Sequence, residues 1–223
     1  MKTSKSSKLL FDQPGVIVMH LDDNDLIKKS SYELLEDKTR VAVNNTLAGH
    51  LQHEYKATER MEKYFLNNIK NCMNNYLPIP SEIYDVEDDE YVWNMDTCWV
   101  NFQKKNEFNP IHHHTGCFSF VYWVNIPFDV NEELKHPSVK QVEEAVPGAF
   151  TFIYSDILGN QRVKSIITTK KDEGTLMVFP ARMKHGVYPF YTSDEYRISI
   201  SGNLSIKMKS NNSVPLQMYG SLI

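Results

Sequence analysis

The pattern of apolar and polar residues in the first third of the chain predicts one strand and two helices. Residues 15–20 are rich in β-branched side chains and predict a strand, and residues 26–35 predict a short helix after a run of helix-capping residues. A longer helix is predicted over residues 44–75, whose stripe repeats every three or four positions: Leu47, Leu51, Tyr55, Thr58, Met61, Phe65, Ile69 and Cys72. The prolines within residues 77–80 end this helix. The stripe predicts packing against a sheet, although a partner-binding or cofactor-binding helix has a similar pattern.

After residue 92 the pattern changes to short β-branched and aromatic runs separated by turn signals. Strands are predicted at Trp93 and at residues 98–102, 118–126, 149–154, 163–168, 175–179, 187–191 and 196–204. Many short strands without intervening helices predict a β-sandwich or barrel. Residues 128–147 interrupt them with a polar stretch, which is either a loop that closes over the barrel or a plain solvated connection.

The 223 residues suit a single domain with a sizeable core. We expect residues 1–91 to form the strand and helices that pack on a barrel of residues 92–206, after a polar and frayed start over residues 1–14. Residues 207–223 are expected to be a C-terminal tail. The predicted fold is therefore mainly β with N-terminal helices.

Composition narrows the class of protein. With 41% hydrophobic and 23% charged residues the chain is globular, and a net charge of −4 argues against a large nucleic-acid footprint. The sequence has no apolar run long enough to span a membrane and no secretory signal pattern. The three cysteines, Cys72, Cys98 and Cys117, include no CxxC pair, which disfavours a disulfide framework or a cysteine zinc site. We expect a cytoplasmic protein, or one of the host cytoplasm if it is viral.

Three of the eight histidines stand together before the apolar run of residues 117–126. On a strand, His112 and His114 share one face at about 6–7 Å, while His113 points the other way. Two imidazoles at that spacing can chelate one metal ion, although surface histidines on a hairpin would have the same sequence pattern. A third histidine, His185, opens a later predicted strand, where a barrel brings a third ligand back to the first two.

Arg197 follows His185 by twelve residues. With a turn at residues 192–194, the flanking strands are predicted to form a hairpin that offsets Arg197 from His185 by about 10–13 Å along the strand. This distance suits a small dicarboxylate that binds a metal at one end and the guanidinium at the other, because arginine pairs with carboxylates through two parallel hydrogen bonds. Ser199 lies on the same face as Arg197 and can donate a hydroxyl to the same carboxylate. An ordinary surface salt bridge is the alternative for Arg197.

These residues resemble the 2-oxoglutarate- and Fe(II)-dependent oxygenase superfamily, whose pattern is His-x-Asp/Glu, a distant His, and an Arg followed two residues on by Ser. The stretches at residues 108–127 and 174–203 are similar to 2-oxoglutarate oxygenases of bacteria and marine bacteriophages, and the resemblance covers about residues 92–206. It implies a double-stranded β-helix, a jelly-roll or cupin-like barrel, flanked by the long helix.

The resemblance also implies the residues of the site. Fe(II) would bind His112, His114 and His185, and 2-oxoglutarate would pair its far carboxylate with Arg197 and Ser199 while O2 takes the remaining metal position. The family holds 2-oxoglutarate with polar groups on the preceding strand as well, which fall here on Asn101 and Gln103. His114 occupies the position of the family's carboxylate, so the ligand set becomes three neutral imidazoles.

Two other functions fit the same residues. One is a cupin-like three-histidine metalloenzyme of the thiol dioxygenase type, in which Arg197 holds a substrate carboxylate. The other is a non-catalytic jelly-roll module with a metal that only joins strands. The substrate, whether a small molecule or a side chain, and the oligomeric state stay open at this stage.

Overall fold

The computed structural model describes residues 15–73 and 91–209. Its strands are β1 Ile17–His20, β2 Glu54–Lys56, β3 Tyr91–Gln103, β4 Asn109–His112, β5 Phe118–Asn125, β6 Phe150–Ser155, β7 Gln161–Ile166, β8 Thr175–Pro180, β9 Lys184–Val187 and β10 Arg197–Met208. Its α-helices are α1 Asn24–Glu36, α2 Glu59–Met73 and α3 Val130–Glu133, and single 3-10 turns cover Asn44–Thr46 and Lys170–Asp172.

Strands β3 to β10 form two facing antiparallel sheets. The larger sheet has the order β1-β8-β5-β10-β3-β2 and the smaller one β4-β9-β6-β7, so the chain crosses repeatedly from one sheet to the other. This alternation is the double-stranded β-helix that the sequence predicted, and β1 and β2 extend the larger sheet at its two edges. Closure of two curved sheets leaves a cavity between their inner faces, and the site lies there.

Strand β5 explains how the larger sheet separates two apolar cores. All eight of its residues are buried. Val121 and Trp123 face the smaller sheet inside the barrel, whereas Phe120 and Tyr122 face the helices, where both rings pack against Phe65 of α2. A strand covered on both faces needs a near-continuous apolar sequence, which is what this strand has.

The helix predicted over residues 44–75 is shorter than expected. Residues 44–58 hold a 3-10 turn and β2, and α2 begins at Glu59 because Thr58 caps it, with its hydroxyl accepting from the backbone N–H of Met61 at 3.3 Å. Strand β2 pairs with residues 99–101 of β3, and this tertiary pairing overrides the helical spacing of residues 47–55. The buried face of α2 is the predicted stripe from Met61 to Ile69.

The remaining elements agree closely with the sequence. The predicted strand at residues 15–20 and helix at residues 26–35 are β1 and α1, and His185 does lie in a strand, β9. The strand predicted at residues 187–191 is wrong, because β9 ends at Val187, two residues before Pro189. Strand β4, which carries His112, was not predicted.

The insert at residues 128–147 is attached to the barrel rather than free of it. It contains α3, whose first turn is capped by the Asp129 side chain, and the buried Glu133 carboxylate accepts from the backbone N–H groups of Tyr191 at 2.7 Å and Thr192 at 2.8 Å. Closure of this insert over the mouth stays a prediction, as does the division at residues 91 and 206. Residues 1–14, the stop at residues 77–80 and the end of the tail from residue 210 lie outside the described residues. No helix within the described ranges has the length and apolar character needed to cross a membrane.

Candidate metal centre

Two strands of the smaller sheet bring the three histidines together. His112 at the end of β4 is in register with His185 of β9, and His114 follows two residues later, with its backbone N–H donating to the carbonyl of Ala181 at 2.9 Å. The ligand atoms of the three imidazoles all lie within 4.8 Å of one another. His113 is exposed, as strand alternation predicts.

Gly186 allows β4 to approach β9 closely beside His185. A Cβ at this position would lie 2.8 Å from Ile111 Cδ1 and 3.0 Å from the carbonyl oxygen of Asn109. A larger residue would therefore require the Ile111 side chain to move and the β4 backbone beside His112 to shift slightly.

Backbone carbonyls orient two of the imidazoles. Nδ1 of His112 donates to the carbonyl of Pro110 at 2.7 Å, and Nδ1 of His185 donates to the carbonyl of Met183 at 2.9 Å. A ring whose Nδ1 carries the proton presents the lone pair of Nε2, so both rings are fixed in the tautomer that binds a metal.

The surroundings keep the imidazoles neutral. Burial lowers the pKa of His114 to about 4 and that of His185 to about 3, and it also lowers the pKa of His112. The ring of His185 stacks on Phe150, with centroids 5.4 Å apart, and meets the ring of Phe179 edge-on. Neutral imidazole is the form that ligates metals, so the three groups are ready to bind at neutral pH.

The histidines open onto a cleft between the sheets with about 530 Å³ of empty space, which includes space open to solvent. All four other predicted site residues also line it: Asn101, Gln103, Arg197 and Ser199. No aspartate or glutamate is among the described residues that line this cleft. The donor set is therefore three imidazoles without a carboxylate.

Arg197 is the charged group at the deep end of the cleft. It is 3% exposed, and its Nη1 donates to the carbonyl of Gly148 at 2.9 Å, while its Nε has no partner. Burial lowers the pKa of its guanidinium to about 10, so the group is still a cation at neutral pH. A buried cation without a counter-ion is costly, and an anionic ligand removes that cost.

The hairpin predicted between His185 and Arg197 is wrong. Strand β9 pairs with β4 and β6 in the smaller sheet, whereas β10 pairs with β3 and β5 in the larger one. Residues 188–196 cross from one sheet to the other, so His185 and Arg197 line one cleft from opposite walls rather than along one hairpin.

A polar row runs along the larger sheet between the two ends of the cleft. Asn101 Nδ2 donates to Ser199 Oγ at 3.2 Å and to Ser201 Oγ at 3.4 Å, while Gln103 Nε2 is bound to the carbonyl of Glu107 at 2.6 Å. One N–H of the Gln103 amide is therefore engaged with the backbone. Its second N–H and its carbonyl oxygen are the groups that remain for a ligand.

Sequence reasoning did not assign several residues of the cleft. Trp99 and Ser201 continue the alternation of Asn101 and Ser199, so period 2 was the available signal. Of the neighbours Tyr122 and Trp123, the structure places Trp123 in the cleft and Tyr122 against the helices. Leu51 and Asn109 also line the cleft, and nothing in the sequence marked either of them as a site residue.

Comparison with protein families gives one match. The family described as "Putative 2OG-Fe(II) oxygenase" matches residues 97–203, which include all seven predicted site residues. Among curated proteins, no sequence matches this chain.

Solved structures confirm the fold. A Pseudomonas putida prolyl-4-hydroxylase superimposes with a TM-score of 0.51 at 15% identity, covering 86% of this chain and 92% of the other. A Trichoplax adhaerens prolyl hydroxylase in complex with a peptide of hypoxia inducible factor gives a TM-score of 0.51 at 14% identity, with coverages of 86% and 82%. At such identities the likeness establishes the shared jelly-roll fold.

Proposed function

We propose that this chain, whose residues 97–203 match the family described as "Putative 2OG-Fe(II) oxygenase", hydroxylates an organic substrate with release of succinate and CO2. The family is one of dioxygenases that use Fe(II), 2-oxoglutarate and O2. The balance of the proposed reaction is that a C–H bond, 2-oxoglutarate and O2 give a C–OH group, succinate and CO2.

The residues at the mouth of the cleft fit the metal. Three imidazoles converge within 4.8 Å, and backbone carbonyls hold two of them in the metal-binding tautomer. His112, His114 and His185 would hold Fe(II), and three protein ligands leave room on the metal for cosubstrate and O2. The absence of a carboxylate among the lining residues leaves the full metal charge to attract a dianion.

The deep end of the cleft fits 2-oxoglutarate. The observation that carries the proposal is Arg197, a buried guanidinium that has no counter-ion in the described part of the chain and lines the same cleft as the three imidazoles. Trp123 adds a second buried donor, Nε1, which has no partner either. Unpartnered donors at one end and metal ligands at the other match a dicarboxylate whose keto acid binds metal.

In this mechanism the chain binds, orients and excludes water. Arg197 and Ser199 would fix the far carboxylate, and the aromatic wall formed by Phe150 and Phe179 would keep the deep side of the centre dry. When bound, Fe(II) and 2-oxoglutarate supply the oxidising chemistry, which no side chain of this protein can provide.

The three-imidazole set also favours one alternative, a cupin-like thiol dioxygenase that does not use 2-oxoglutarate. In that enzyme Arg197 would bind a substrate carboxylate, and oxygen would be consumed without succinate. The two functions therefore differ in one product.

Succinate release is the experiment that separates them. We expect the Fe(II)-loaded full chain, given 2-oxoglutarate, ascorbate and O2, to convert 2-oxoglutarate to succinate slowly alone and faster with pools of candidate substrates. Protein without added metal is the control. Oxygen uptake with a thiol substrate and no succinate would replace the proposal with the alternative.

Replacing His114 by aspartate tests whether this residue fills the carboxylate position. We expect His114→Asp to bind Fe(II) as tightly as the native chain or more tightly, since a carboxylate adds charge attraction. Binding of 2-oxoglutarate should weaken, because the metal then carries one unit less net charge. Anaerobic calorimetric titrations measure both affinities. Loss of metal binding in a folded variant would show that His114 binds only as an imidazole.

A further inference from the structure

Glu54 is a buried carboxyl group next to Asn101, one of the residues that line the cleft. Strand β2 places it in register with Asn101 on β3, so the two side chains project as neighbours from one face of the sheet. Glu54 is fully buried, its Oε1 has no hydrogen-bond partner, and its Oε2 meets only Asn44 Nδ2 at 3.5 Å. None of the ion pairs of the described residues includes Glu54.

The side-chain amide of the neighbouring Asn101 also has a buried oxygen, Oδ1, that lacks a donor among the described residues. Asn101 directs its Nδ2 towards Ser199 and Ser201 on β10, and β3 lies between β10 and β2. Glu54 Oε1 and Asn101 Oδ1 are thus two buried acceptors without a donor on residues that are register partners across the β2–β3 pair. One proton between them would satisfy both.

Charges around Glu54 favour its protonated form. Burial, followed by repulsion from Glu107, raises the pKa of Glu54 to about 7. The β3 neighbour Asn101 and the loop residue Asn44 are neutral, and Lys56, on the same face of β2, is exposed. In the adjoining loop, His50 is exposed as well. No cation among the described residues offsets the cost of ionising Glu54.

We infer that Glu54 is a positioning residue that acts as a neutral acid, with its O–H donating to Asn101 Oδ1. This bond fixes the direction of a chain of hydrogen bonds, in which the Asn101 amide donates to Ser199 and Ser201. Each serine then accepts from Asn101 and keeps its own O–H free to donate into the cleft. The inference rests on the proposed function, because the ligand that receives these donors is the carboxylate of 2-oxoglutarate.

The competing arrangement turns the Asn101 amide over. Its N–H group would then donate to an ionised Glu54, and the serines would donate to Asn101 rather than into the cleft. A carboxylate would stand beside a dianionic cosubstrate in that case. The first arrangement predicts that cosubstrate binding weakens as Glu54 loses its proton, whereas the second, with Glu54 already ionised, predicts no such change.

Glu54→Gln separates them, since glutamine keeps the shape of the acid and offers an N–H donor at every pH in place of the acid's O–H. We expect the dissociation constant of 2-oxoglutarate, measured anaerobically on the metal-loaded full chain, to rise in the native protein by about ten-fold or more from pH 6 to pH 8.5, as Glu54, with a pKa of about 7, loses its proton. Glu54→Gln should show no such rise, and the exposed control Glu143→Gln should follow the native protein.

Equal pH profiles in the native protein and Glu54→Gln would overturn the inference. Failure of all variants to bind 2-oxoglutarate would instead remove the proposed function, and a second measurement covers that case. The pKa of Glu54 in the folded protein is raised, so the stability of the native protein should fall as the pH rises from about 4.5 to 7. Glu54→Gln lacks this titration. In the metal-free state its melting temperature should therefore gain roughly 5 °C relative to that of the native protein over the same pH range. No relative gain would also contradict a neutral Glu54.

Discussion

Replacing Arg197 with alanine is expected to weaken 2-oxoglutarate binding by about ten- to a hundred-fold, with metal binding unchanged. The far carboxylate would lose its charged partner, and hydrogen bonds to charged groups contribute about 1.5–3 kcal/mol each. The guanidinium stays protonated until the pH approaches its pKa of about 10, so the loss should be the same from pH 6 to pH 8.5. Anaerobic calorimetric titration of the metal-loaded chain measures it.

Two variants control this experiment. Arg162→Ala removes an arginine that is exposed and pairs with Asp156, so it should leave the 2-oxoglutarate affinity unchanged. Arg197→Lys keeps the charge but loses the two-pronged geometry, and we expect an intermediate affinity. Unchanged affinity in a folded Arg197→Ala would remove the cosubstrate assignment.

Folding of Arg197→Ala should not be the difficulty. The substitution removes one hydrogen bond, to the carbonyl of Gly148, but it also removes a buried cation that has no counter-ion. These two effects oppose each other, so we expect the melting temperature of the metal-free protein to change little or to rise. A site that becomes more stable when its charge is removed is organised for a ligand rather than for folding.

The local sequence pattern predicted the barrel, because the apolar and polar positions of each strand reflect which of its two faces are buried. Strand β5 is the clearest case, an apolar run that can only be covered on both sides. The same reasoning failed at residues 44–58, where a spacing of four between Leu51 and Tyr55 suggested a helix. Gly49 and the capping residue Thr58 were local signals against it, and the pairing of β2 with a strand more than forty residues away is not visible in a local pattern.

The route of the chain was the least predictable part of the site. Consecutive strands usually pair, which suggested a hairpin between His185 and Arg197. In a jelly roll they belong to different sheets, and the pairing of His112 with His185 spans 73 residues. The residue types still led to the hypothesis of a metal and a dicarboxylate, because three imidazoles and one arginine suit these ligands whichever strands carry them.

Burial without a partner could not be predicted at all. The sequence shows Arg197 and Glu54 as two of its charged residues, and nothing in the sequence indicates that both are buried without an ion pair among the described residues. That structural observation supports the proposed anion site and the proposed neutral acid.

Replacing His185 with alanine is expected to abolish stoichiometric Fe(II) binding. Two imidazoles would remain, with no carboxylate among the lining residues to complete the shell, and a site that loses one of three ligands keeps too few bonds to compete with water. Anaerobic titration with Fe(II), followed by gel filtration and metal analysis, measures the stoichiometry. One equivalent retained by a folded variant would show that another residue is the third ligand.

The packing of His185 decides how this loss must be interpreted. Its ring lies against Phe150 and Phe179, so alanine also leaves a cavity that destabilises the barrel by about 2–4 kcal/mol. His185→Gln fills most of that space without an imidazole and should also lose the metal while melting closer to the native protein. His113→Ala, at an exposed position beside the ligands, should keep one equivalent of Fe(II). Only loss in both His185 variants, together with retention in His113→Ala, assigns the metal to the inner face of the sheet.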